Sequence, residues 1–173
     1  MIGSVKVLSR TQLLYSILTE SNFYEEGVNW NLISIYTMED EEVICENVLS
    51  ILDKMHCKRT LSLRFSDVNE KVFFKYNDKY TNQILFNKEH AVKIITFINE
   101  LEDVEGEEHL IVHCDAGISR SGAVATFLSD YLSLNKEIFN QMNIGIMPNI
   151  YILNMLREMT NLKINEENSM FIN

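Results

Sequence analysis

His113-Cys114-Asp115-Ala116-Gly117-Ile118-Ser119-Arg120-Ser121-Gly122 is the stretch on which the reading of this chain turns. The run before it, His109-Leu110-Ile111-Val112, is short and apolar and predicts a buried strand. The run after it, Ala123 to Leu132, predicts a helix. A cysteine therefore stands on a tight loop between a strand end and a helix start. Successive backbone N–H groups in such a loop can converge on one point and bind an anion. The first N–H groups of the helix lack intrahelical partners and add the positive end of the helix dipole.

The side chains sharpen this. The same field favours a thiolate at Cys114. Arg120 lies six residues on, where it can close the loop and offer a planar fork to two oxygens of one anion. Ser121 can donate its hydroxyl to the sulfur, and His113 can brace the loop through its ring nitrogens. The backbone N–H groups of Asp115, Ala116, Gly117, Ile118, Ser119 and Arg120 would hold phosphate oxygens. A nucleophile under a phosphate cradle implies covalent phosphoryl transfer through a cysteinyl-phosphate.

His113-Cys114, five residues, then Arg120-Ser121 resembles the signature of the cysteine-dependent protein tyrosine phosphatase superfamily. The wording Ala116-Gly117-Ile118-Ser119-Arg120-Ser121 is similar to its dual-specificity branch. Chance placement of His, Gly, Arg and Ser or Thr at these offsets from a given cysteine runs to about one in 10^5 at average residue usage. The chain holds its own control. His56-Cys57 is a second His-Cys pair, but Leu63 stands where the arginine would be and no glycine intervenes. Cys57 is expected to be an ordinary thiol.

Length and composition set the bounds. At 173 residues the chain is expected to be one phosphatase domain, 1–173, with a loosely held tail over about 163–173. Hydrophobic content of 46% suffices for a sizeable core. Three cysteines do not suggest a disulfide scaffold. A working thiol must stay reduced, which fits the cytoplasm. No signal peptide or membrane-spanning run is evident. The net charge of −10 argues against nucleic acid and anionic membrane as general partners. The attraction for an anionic substrate must then be local, because surface charges are screened within about 8 Å at physiological salt.

Along the chain, Val5 to Leu8 predicts a first strand and Gln12 to Glu20 a helix. Trp30 to Tyr36 predicts a buried strand with Trp30 in the core. Glu39 to Met55 has apolar residues at helical spacing behind an acidic face, with Cys45 among them. Thr60 to Phe65 alternates as a strand and ends at Ser66-Asp67. Val68 to Leu85 is a long polar and aromatic stretch without proline or glycine, and loops of this length are usually functional or mobile. Phe86 to Leu101 predicts a helix, with His90 on its surface, and Glu102 to Glu108 an acidic turn. His109 is expected at a strand edge. Ser133 to Asn143 is polar with a short helical patch, and Ile150 to Asn161 predicts a last helix capped by Asn149. Strands alternating with helices imply an α/β fold, a mostly parallel sheet flanked by helices, with the ligand at the carboxyl ends of the strands. The superfamily resembled has this architecture, a strand, phosphate loop and helix at its centre.

Breaking a phosphate ester also needs a proton for the leaving oxygen. In families of this kind an aspartate on a separate upstream loop supplies it. Asp67 follows a predicted strand, as a residue on the active face should. The string Leu63-Arg64-Phe65-Ser66-Asp67 resembles the passage from strand to acid loop in dual-specificity-like enzymes from microbes. It stands further from the cysteine than in commoner members, and Asp78 lies nearer the usual distance, so Asp78 is the alternative acid. Met147-Pro148-Asn149 resembles the segment that starts the last helix in dual-specificity members, which gives Asn149 a second role as a support for the loop. The resemblance runs loosely from Leu32 to Met159, with the first thirty residues outside it.

The resemblance implies a protein tyrosine phosphatase similar to the dual-specificity branch, acting on a phosphoprotein or phosphopeptide with no cofactor; whether phosphoserine and phosphothreonine also fit is left open by the sequence, as is the oligomeric state, with a monomer favoured. His56, His90, His109 and His113 have no metal-pair spacing, so no metal is expected. The alternatives are a phosphoinositide or RNA 5′-phosphatase and an inactive phosphate-binding relative. Lipid-directed relatives tend to carry lysine in the cradle, where this chain has Asp115 and Ile118; inactive ones usually lack the cysteine or the arginine, and both are present.

Overall fold

The computed structural model describes residues 1–18, 29–37, 57–68, 83–102 and 108–161. Within them are four strands, β1 (Ile2–Ser9), β2 (Asn29–Tyr36), β3 (Cys57–Arg64) and β4 (Glu108–Cys114). Five helices accompany them: α1 (Arg10–Leu18), α2 (Lys88–Glu102), α3 (Arg120–Tyr131), α4 (Lys136–Met142) and α5 (Ile150–Met159). The strands form one sheet in the order β1-β4-β2-β3, and each neighbouring pair is parallel. The expected α/β architecture is present, and its described strands are wholly parallel.

Helices cover both faces of the sheet, so the inner strands β2 and β4 bury side chains on both sides. Period-two alternation sorts the side chains. Val5, Val7, Ile33, Ile35, Leu110 and Val112 point into a large core with α2, α3 and α5. Leu8, Leu32 and Ile111 point the other way, onto Leu13 of α1. The main core draws residues from Ile2 to Leu156, and Phe65, Phe86 and Phe127 lie fully buried in it. Burying a side chain of that size is worth about 1.5–3 kcal/mol.

Asn143, just after α4, seals the outer edge of β1. Its side chain accepts from Val7 N at 2.7 Å and donates to Val5 O at 2.9 Å, standing in for a neighbouring strand. Asn135 caps α4 by accepting from the backbone of Glu137 and Ile138.

Three expectations need correction. Glu108 is not part of an acidic turn: it opens β4 and is buried, because Asn31 Nδ2 at 2.7 Å and Lys58 Nζ at 3.2 Å compensate its carboxylate. His90 is half-buried rather than fully on the surface: its ring stacks on Phe86 with centroids 5.5 Å apart, and burial pulls its pKa down. His109 lies on an interior strand, bonded to Ser4 Oγ at 2.7 Å and packed against Trp30. Trp30 itself is half-buried against the smaller core. The predicted helix from Glu39 to Met55, Asp78, most of Val68 to Leu85 and the tail from Lys163 lie outside the described residues.

Parallel strands bring their carboxyl ends to one edge of the sheet. Ser9 at the end of β1 pairs with Cys114 at the end of β4. Thr37 follows the end of β2, and Phe65 to Asp67 follow the end of β3. Residues far apart in the sequence therefore meet around the phosphate-loop motif.

Candidate active site

Cys114 is the last residue of β4, and the chain then bends through Asp115 to Ser119 before α3 begins at Arg120. The residue is 2% exposed and forms the floor of the loop. Its sulfur accepts from Gly117 N at 3.3 Å and lies 3.0 Å from Ser121 Oγ, which is fully buried. Gly117 cannot be replaced here for two reasons. Its φ is +68°, and a Cβ would stand 2.4 Å from Ser9 N and 2.6 Å from Leu8 C. Those neighbours are backbone of a paired strand and cannot step aside.

The first turn of α3 has no side-chain cap. Ser119 occupies the capping position, but its hydroxyl donates instead to Asp67 Oδ1 at 2.8 Å. The helix N–H groups that a cap would satisfy are thus left to a ligand. Arg120 turns inward and is 7% exposed. Its Nη1 donates to Thr37 Oγ1 at 2.7 Å and to Phe65 O at 3.1 Å. Its Nε is buried with no partner among the described residues. A charged donor left in that state is costly, and an anion in the loop would satisfy it.

The loop is held from three directions. On one side, Met147 N donates to Ile118 O and Asn149 N to Ser119 O, both at 3.1 Å. Asn149 accepts from the backbone of Tyr151 and Ile152 and so caps α5, as its sequence position predicts. Its Nδ2 donates to Asp67 Oδ1 at 2.8 Å. On the other side, Arg10 at the start of α1 donates its backbone N–H to Asp115 O at 3.1 Å and pairs with the Asp115 carboxylate at 3.2 Å. From below, His113 bonds Ser34 Oγ of β2 through Nε2 at 2.8 Å. It braces β4 against β2 rather than the loop itself. Burial drives the His113 pKa down to about 4, helped by the charges of Arg10 and Arg120 and opposed by a contact with the Cys114 backbone.

Cys114, Ser121, Arg120, Asp67 and Asn149 are therefore brought together. Both donors to Asp67 meet Oδ1, so neither occupies Oδ2. Asp78 is not among the described residues. The structure adds Thr37, the Phe65 carbonyl and Arg10, which sequence reasoning did not single out. Thr37 had a signal, since it follows a predicted strand at the carboxyl edge; Arg10 had none, being joined to the loop only by the β1–β4 pairing. Among the described residues, no group of three His, Cys, Asp or Glu side chains could hold a metal ion, and no helix is long and apolar enough to cross a membrane.

The arrangement can seat a tetrahedral anion on amide and guanidinium donors with a sulfur beneath it and a carboxylate beside it. Comparison with known families agrees with that chemistry. No curated protein matches the chain. The family model for protein-tyrosine phosphatase matches residues 33–169, well over half the sequence, from within β2 to beyond α5. The match takes in the phosphate loop, Asp67 and Asn149 and leaves β1 and α1 outside. On that match the chain belongs to the protein-tyrosine phosphatase family.

Proposed function

We propose that the protein is a dual-specificity-like phosphatase that hydrolyses phosphotyrosine in proteins, and other phosphate monoesters that reach its sulfur, by two-step transfer through Cys114. The observation that carries this reading is the inward-turned Arg120, with Nη1 pinned and a buried Nε unpartnered beside the uncapped start of α3. A dianionic phosphoryl group supplies the acceptors these donors lack.

In the first step the Cys114 thiolate attacks phosphorus in line and the bond to the leaving oxygen breaks. The loop amides and Arg120 hold the three equatorial oxygens through the transition state. Asp67 delivers a proton from Oδ2 to the leaving oxygen. In the second step water attacks the cysteinyl-phosphate and gives its proton to Asp67. The sulfur–phosphorus bond breaks, and Ser121 donates a hydrogen bond to the departing thiolate. His113, Asn149 and Thr37 act by positioning these groups. No step calls for a cofactor. A thiol used in this way works in a reducing compartment, which makes the cytoplasm our proposed location.

Steady-state turnover of aryl phosphates with graded leaving groups tests the roles. Cys114→Ser is expected to abolish turnover while inorganic phosphate still binds. Asp67→Ala is expected to slow phenyl phosphate by about 10²-fold or more and strongly activated esters much less. Equal slowing across the series would remove Asp67 from the acid role, and turnover by Cys114→Ser would reject the reading.

A further inference from the structure

Among the described residues, one side of the loop's mouth exposes large apolar side chains next to Asp67. Ile118, on the loop itself, is 39% exposed, while Met147 and Ile150 are 71% and 62% exposed. The backbone bonds from Met147 N to Ile118 O and from Asn149 N to Ser119 O join these residues to the phosphate loop. They form one rim beside Asp67. Between Glu137 and Arg157 the sequence carries no charged side chain, although 23% of the whole chain is charged and its net charge is −10. The opposite side of the loop carries the Arg10–Asp115 ion pair. Large apolar side chains exposed together mark a contact surface rather than ordinary solvated surface.

Resting on the phosphatase reading above, we propose that Ile118, Met147 and Ile150 form a shelf for an apolar side chain flanking the phosphorylated residue of a peptide substrate. Two arguments favour this occupant. A peptide with its phosphate in the loop advances about 3.3–3.6 Å per residue, so residues one to three positions away cross the rim. The segment between Glu137 and Arg157, which carries Met147 and Ile150, adds no charge, so an anionic substrate nearing an acidic protein meets less repulsion there. The shelf therefore selects leucine, methionine or phenylalanine beside the phosphoresidue and disfavours acidic neighbours.

The test uses the full chain and phosphotyrosyl heptapeptides carrying leucine, alanine or glutamate at each of the three positions on either side, with phenyl phosphate as the flank-free control. The wild-type protein is expected to prefer leucine over alanine in kcat/KM by about tenfold at one or more positions. The double variant Met147→Gln with Ile150→Gln is expected to lose that preference and keep its phenyl phosphate turnover. Wild-type turnover without any leucine preference overturns the shelf, as does a double variant that keeps the preference. A rim that instead joins two copies of the chain, seen as a sedimenting dimer that the double variant breaks, also overturns it. Absence of phenyl phosphate turnover in the wild type is a different failure, that of the phosphatase reading.

Discussion

Asn149 holds Asp67 with one end of its side chain and caps α5 with the other. Its Nδ2 donates to Asp67 Oδ1 at 2.8 Å, while its Oδ1 accepts from Tyr151 N at 3.1 Å. A single residue thus couples the start of a core helix to the carboxylate assigned as acid. The two duties separate by mutation. Asn149→Ala loses both and is expected to lower unfolding stability by about 1 kcal/mol. Asn149→Asp keeps a good cap but sets a second carboxylate against Asp67. It is expected to hold the stability within about 0.5 kcal/mol while turnover of phenyl phosphate falls. Denaturant unfolding and aryl phosphate kinetics on both variants check this, and an Asn149→Asp enzyme with wild-type turnover would dissociate the residue from the acid.

Gly117 ties the loop to a strand outside the family match. Gly117→Ala combines a left-handed φ with a 2.4 Å approach to Ser9 N. The expected cost is about 3 kcal/mol or more, because the obstructing atoms belong to backbone. Denaturant unfolding measures it, and a loss under about 1 kcal/mol would mean that β1 does not pack against the loop as described.

Arg10 belongs to the same contact. Both members of its pair with Asp115 are partly exposed, so the pair adds little to global stability. Its effect is expected in the loop. Arg10→Ala should leave the unfolding midpoint nearly unchanged and lower kcat/KM for phenyl phosphate about two- to fivefold, with Arg10→Lys recovering part of the loss. Unchanged kinetics in Arg10→Ala would leave the backbone bond alone as the tie between α1 and the loop.

His113 makes stability depend on pH. In the unfolded chain its imidazole takes up a proton near the ordinary value of 6.5, whereas in the fold it stays neutral down to about 4. Between those values the unfolded chain binds more protons, so stability is full above the higher value and falls as pH drops through the window. The group's share of the loss reaches about 3 kcal/mol at the bottom. Unfolding measured from about pH 7 to about pH 4.5 should show a flatter profile in His113→Gln than in the wild type. Parallel profiles would assign the acid sensitivity to other groups.

Much of this was legible in the sequence because the phosphate loop is local. Cys114, Gly117, Arg120 and Ser121 lie within eight residues, and a strand before them and a helix after them fix their geometry. Asn149 was legible for a similar reason, since a cap declares itself next to its helix. What escaped were partners supplied by tertiary pairing. Thr37 and the Phe65 carbonyl reach Arg120 only because β2 lies parallel beside β4 and β3 parallel beside β2. Arg10 reaches Asp115 only because β1 pairs with β4 from the far end of the chain. Glu108 was misassigned because its charge argued for solvent, and nothing local in the sequence foretold that Asn31 and Lys58 would compensate it.

The central claim is that Cys114 carries the phosphoryl group during turnover. The most direct measurement is acid quenching of the wild-type protein shortly after mixing with an aryl phosphate, followed by mass analysis of its peptides. The expected result is one phosphoryl group on the peptide containing Cys114, absent from Cys114→Ser and more abundant in a variant slowed in the second step. Turnover of the ester with no phosphorylated Cys114 at any quench time, or with the phosphoryl group on another residue, would contradict the account.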